Sequence, residues 1–185
     1  MSLTIEDGTG LANADSFASV AEAQAFADAR GLTLPAATED IEKLLVKAAD
    51  FILSLESRFK GYRTTATQRL SFPRTDVTVY GDGGPGLIPI HGGENIRYAG
   101  AGYLIASDEI PQMLKEAQIR LAVDANSTDL RPNGAGREVI RKKIGPIETQ
   151  YAQGGVNSVN PVFNAALDLL EPLLKPRTGL KVTRA

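Results

Sequence analysis

Six apolar side chains, Ile41, Leu44, Leu45, Ala48, Ile52 and Leu55, recur at i, i+3, i+4, i+7, i+11 and i+14. On an α-helix that spacing gathers them into one stripe, and a stripe of this length has to be buried against other chain. It predicts a long core helix over 39–57. Thr38 is the expected N-cap, and Glu39 and Asp40 sit in the first turn, where the helix dipole favours anions. Asp50 and Glu56 fall off the stripe and read as solvated.

Three shorter helices accompany it. Ser19 and Glu22 form a capping box that opens a helix over 20–30, and Gly31 closes it. Ile110, Leu114, Ala117, Leu121 and Ala125 place another over about 109–126, with Pro111 in its first turn and Ser107 or Asp108 as cap. Val162, Ala165, Ala166, Leu169, Leu170 and Leu173 place the last, with Asn160 as cap and Pro161 behind it. Pro172 should kink or stop that helix near Leu170.

Two stretches are not helical. Residues 76–106 contain "GDGGPG" and "HGGENIRYAGAG" and read as a long loop, with at most short strands near Val77–Tyr80 and Leu87–Ile90. In "REVIRKKIGPIETQYA" the period changes to alternation around Gly145-Pro146, which predicts a hairpin of 137–144 and 147–152. The expected fold is therefore mainly α, a small helical bundle of about four helices with one β-hairpin and a long glycine-rich loop. It should form a single domain over 1–185, with a loop insertion at 76–106 and a flexible tail at 176–185.

Most chemistry is excluded by residue type. The chain has no cysteine, which removes disulfides, thiolate metal sites and a cysteine nucleophile. "MSLTIEDGTG" lacks the cationic start and apolar run of a signal peptide, and no stretch approaches the ~20 apolar residues of a membrane-spanning helix. Residues 81–86 satisfy Gly-x-Gly-x-x-Gly, but Pro85 and "LIPIHGG" follow where a phosphate-binding helix would have to begin. His91 is the only histidine and lies among glycines, with no neighbour to fix its tautomer. No catalytic residue, cofactor, metal or small-molecule substrate is expected, and the protein reads as a non-enzyme.

Charge points to partners instead. The net charge is -2, yet residues 1–57 hold three bases and ten acids, while "RFKGYRTTATQRLSFPR" (58–74) holds five bases and no acid. Such segregation favours partners, or neighbouring copies, that read different faces. Phe59, Tyr62 and Phe72 interleave with Arg58, Lys60, Arg63, Arg69 and Arg74, a mixture that suits single-stranded DNA: rings stack on bases and cations follow phosphates. The same residues suit a structural corner. Gly61 lets the chain turn and Pro73 holds Phe72 extended, so that Phe59 and Phe72 anchor the corner under an exposed basic face. Tyr62 fits either role. A second basic run, Arg141, Lys142 and Lys143, lies in the predicted hairpin and completes the set of candidate partner or DNA contacts.

The order of these segments resembles a known family. "TIEDGTGLANADSFASVAEA", a long helix, "FKGYRTTATQRLSFPR", "EIPQMLKEAQIRLA", "KKIGPIETQYA" and "ALDLLEPLLK" follow one another as in the DnaT-like single-stranded-DNA-binding proteins of tailed phages and prophages, which in turn resemble head–tail connector adaptors. The family pattern falls here on Phe59, Gly61, Arg63, Gln68, Phe72, Pro73 and Arg74, with Phe72 where Trp is common. The resemblance implies no catalytic residues. It implies a structural protein at the head–tail junction of the virion, binding portal and tail-completion proteins and itself in a ring. The alternative it implies is a single-stranded-DNA binder that uses 58–74.

Overall fold

The structure is a computed structural model and describes residues 3–79, 102–131, 139–143, 148–151 and 163–175. The central glycine-rich stretch with Leu87–Ile90 and His91, the Gly145-Pro146 turn, Asn160, Pro161 and the tail 176–185 lie outside the described residues.

Helix α1 spans Val20–Ala29. Its capping box is formed, with Ser19 Oγ accepting from Glu22 N at 3.1 Å and Glu22 Oε2 accepting from Ser19 N at 2.7 Å. Helix α2 spans Thr38–Leu53 and buries Ile41, Leu44, Leu45, Ala48 and Ile52 of the predicted stripe together with Ala49, while Leu55 lies past its end and is half-buried. Its N-cap is Ala37 rather than Thr38, which is already helical. The helix ends earlier than expected because Leu55 leaves helical geometry, and the chain tightens into a 3₁₀ turn at Glu56–Arg58. Helix α3 spans Gln112–Ala125 and starts directly after Pro111, with neither Ser107 nor Asp108 as cap. Helix α4, Asn164–Leu170, passes into a 3₁₀ turn at Glu171–Leu173, where Pro172 has no N–H to continue the α ladder.

The helices meet mainly through α3, which packs on both α2 and α4. A buried amide ties the meeting point together. Gln118 is fully buried; its Oε1 accepts from Phe17 N at 2.9 Å and Ala18 N at 3.1 Å, and its Nε2 donates to Ser16 Oγ at 2.8 Å and Leu45 O at 2.9 Å. One side chain thus joins the N-terminal segment, α2 and α3.

The strands come in three antiparallel pairs. Strand β1 (Tyr62–Arg63) pairs with β2 (Arg74–Thr75), β3 (Thr78–Val79) with β4 (Tyr103–Leu104), and β5 (Val139–Lys143) with β6 (Glu148–Tyr151). Asp76, at φ 59°, turns β2 into β3. The C-terminal turn closes on this region, since Lys60 N donates to Leu173 O at 3.0 Å and Lys175 N donates to Arg58 O at 2.7 Å.

The expected helical bundle is corrected by this arrangement. Four helices are present, but α1 buries only Ala23 and Ala27, and α4 is seven residues long. Such helices do not offer enough apolar face to close a core by themselves. Irregular and extended chain supplies the rest: Ala14, Phe17, Phe59, Leu70, Phe72, Val77, Val79, Ile105 and Leu174 are all buried in the same cluster. The described fold is four helices completed by a folded corner and three small antiparallel pairs.

Candidate nucleic-acid interface

The corner from Arg58 to Val79 is built around two rings. Phe59 and Phe72 are fully buried and meet edge to face, with centroids 5.4 Å apart. Gly61 allows the chain to double back here. Its φ is 64°, and a Cβ would sit 1.9 Å from Thr75 O, so any side chain collides with the backbone of the returning strand. Gln68 is buried inside the turn, its Nε2 donating to Leu70 O and Pro73 O, both at 3.0 Å.

The cations around these rings are mostly engaged within the protein. The Arg74 side chain is 6% exposed; its guanidinium donates to Glu56 Oε1 at 2.7 Å, Lys60 O at 2.8 Å, Gly61 O at 2.9 Å and Ser71 O at 3.2 Å. Arg63 reaches the same Glu56 Oε1 at 2.9 Å and donates to Gln68 O at 2.9 Å. Arg69 pairs with Asp15. The Lys60 ammonium donates to Thr78 O at 3.0 Å and Pro172 O at 2.9 Å. Burial would push the Glu56 carboxyl up, but the hydrogen bonds from Arg63 and Arg74 outweigh it and hold the group below its ordinary range.

The expected face of five exposed cations is therefore not what the corner presents. Arg74 is buried, and Arg63, Arg69 and Lys60 are half-buried with internal partners. Tyr62 stands out on β1 at 72% exposed, and Arg58 is half-buried beside it in the chain. On β5, Arg141 lies opposite Gln150, Lys142 opposite Thr149 and Lys143 opposite Glu148.

Two acids escaped the sequence reading. Glu56 falls off the α2 stripe, where solvent is the expected neighbour, and Asp15 lies far upstream of Arg69. Nothing in their spacing announces the pairs, which arise only when the corner folds back on the 3₁₀ turn and the N-terminal segment. Leu104, 54% exposed beside Tyr103 at 58%, also went unread. A separate groove of about 720 Å³ between α2 and the loop after α3 is lined by Lys47, Asp50, Phe51, Asp129 and Arg131. Its charges balance, and Phe51 is already packed edge to face on Phe163 at 5.7 Å, so it offers neither a phosphate track nor a free ring.

Among the described residues no helix is long and apolar enough to cross a membrane, and no group of three acidic, histidine or cysteine side chains is placed to hold a metal ion. No match was found among curated proteins or among solved structures. One family model, described as "Putative DnaT-like ssDNA binding protein", matches residues 1–86 and 96–185. The matched segments run through the N-terminal loop, the corner, all four helices and the β5–β6 pair, and the chain accordingly belongs to this DnaT-like family.

Proposed function

We propose that this protein binds single-stranded DNA and carries out no catalysis on it, with Tyr62 stacking on a base while Arg58 and the β5 cations Arg141, Lys142 and Lys143 follow the phosphates. The observation that carries this reading is the family match, which covers both the corner and the hairpin. Within 58–74, Lys60, Arg63, Arg69 and Arg74 already have partners inside the protein, which leaves Tyr62 and Arg58 as the candidates of that stretch. A solvent-exposed ring is what base stacking requires, and Tyr62 is the ring of the 58–74 stretch that has it.

Fluorescence anisotropy with a labelled oligothymidine, titrated with salt, tests the reading. Affinity should fall with salt at a slope of roughly 0.7 per neutralised phosphate. Tyr62→Ala should cost about 1–3 kcal/mol of binding. Replacing Arg141, Lys142 and Lys143 by Ala should make the salt slope shallower by about 2. No binding at low salt, or full affinity in Tyr62→Ala, overturns the assignment.

A second reading is a head–tail adaptor of a tailed phage or prophage, assembling as a ring between portal and tail-completion proteins at the head–tail junction. It is favoured by the exposed apolar pair Tyr103 and Leu104 and by corner cations that already have internal partners, features of a protein-contact surface more than of a phosphate track. Mixing the protein with its cognate portal and imaging by electron microscopy tests it, and absence of a ring counts against it.

A further inference from the structure

We propose that β4 is a docking edge for a second copy of this chain, and that the strand it receives is the other copy's β5. The proposal rests on the assembly reading above and adds to it the surface and the partner strand.

Among the described residues, the Leu104 backbone in β4 faces away from β3 and is left unbonded. Ile105 N donates to Val77 O at 2.9 Å, so residues 77 and 105 form a hydrogen-bonded pair in the β3–β4 register. Antiparallel ladders alternate, which makes Thr78 and Leu104 a non-hydrogen-bonded pair whose N–H and C=O groups point outward. On the β3 side Thr78 O is taken by Lys60 Nζ. On the β4 side no described residue bonds the Leu104 N–H or C=O, and Tyr103 and Leu104 are both more than half exposed. An open backbone edge with exposed apolar side chains is a template for strand addition.

Charge selects the strand. Asp76 lies across from Ala106 when the β3–β4 register is continued, and Asp108 and Glu109 follow; all three acids are exposed. That rim repels phosphate and suits a cationic strand. Strand β5 reads "VIRKK", apolar then basic, and among the described residues its pair with β6 is joined to no other strand. A two-stranded ribbon alone is marginal in water and gains from an added edge. Joining β4 of one copy to β5 of the next gives a four-stranded sheet. Because the two surfaces differ, the contact is head-to-tail and closes a ring where the rotation permits.

Sedimentation velocity of the full chain, from micromolar to near-millimolar concentration and at low and high salt, tests this. Wild type should associate with rising concentration and less so in high salt. Leu104→Pro removes an N–H that the β3 ladder does not use, and should weaken association at least about tenfold. Leu104→Lys, judged folded by circular dichroism, should do the same and stands in if the proline variant does not fold. Asp108→Lys with Glu109→Lys should weaken association, as should Arg141→Glu with Lys142→Glu, and all four changes together should restore it. A monomer at every concentration overturns the proposal. Unchanged association in both Leu104 variants, or no restoration by the combined reversal, overturns the β4–β5 contact while leaving assembly by another surface standing. Ring formation with the portal still tests the adaptor reading by itself.

Discussion

Replacing Arg74 by Met separates a structural corner from a DNA track, because the two roles move different measurements. The substitution removes four hydrogen bonds, at 2.7, 2.8, 2.9 and 3.2 Å, from a guanidinium that is 6% exposed. Breaking a buried ion pair by deleting one partner costs about 3–5 kcal/mol, chiefly through the charge left behind. Here Glu56 keeps Arg63 at 2.9 Å, so the carboxylate is not stranded and the cost falls toward the lower limit. The carbonyls of Lys60, Gly61 and Ser71 lose a charged donor, which keeps it from falling further. We expect a loss of about 3 kcal/mol, well within the ~5–15 kcal/mol by which small domains are stable, so the variant still folds. Urea denaturation followed by circular dichroism should show the midpoint fall at unchanged slope. DNA affinity, measured in the folded baseline, should stay the same. Arg74→Lys should recover little stability, since a point charge cannot replace the fork that spans three carbonyls and a carboxylate. A phosphate contact would behave oppositely. A stability change below about 1 kcal/mol together with lost DNA affinity would refute the corner argument.

Other substitutions probe the frame around the corner. Gln118→Met should cost about 2–4 kcal/mol by urea denaturation: Ala18 N and Ser16 Oγ retain each other, whereas the buried Phe17 N–H is left without a partner. Gly61→Ala should cost about 3 kcal/mol or more, because the new methyl meets Thr75 O at a backbone angle that already disfavours it. The Glu56 carboxyl lies below its ordinary 4.5 in the folded state, so its contribution is complete above that value and is lost as pH falls through the folded pKa. Denaturation midpoints across that acid range should therefore decline in wild type and decline less in Glu56→Gln.

How much of this was written in the sequence depended on the range of the interaction. Helix positions followed from local chemistry. The Ser19–Glu22 box, the α2 stripe and Pro172 each act within a turn or two of chain, and each appears close to where the spacing put it. The burial of Phe59 and Phe72 was legible for the same reason, since Gly61 and Pro73 shape the chain beside them. The helix caps at Ala37 and Pro111 were missed because neither makes a side-chain cap hydrogen bond, so no capping residue type marks where those helices begin.

Tertiary structure decided the architecture and the meaning of the charges. A bundle was the natural sum of four stripes, but the area those stripes bury is set by what faces them. Two of the helices were too poor or too short to enclose a core without Phe17, Phe59, Phe72 and the strand residues. The five cations of 58–74 looked alike as letters. Glu56 and Asp15, brought in from other parts of the chain, hold three of them, and backbone carbonyls hold a fourth. Sequence alone marked 58–74 as a basic and aromatic stretch that suits either a structural corner or a DNA track. Which of its groups face a partner was set by acids and carbonyls that only folding brings within reach, because electrostatic partners are chosen by distance in space and not by spacing along the chain.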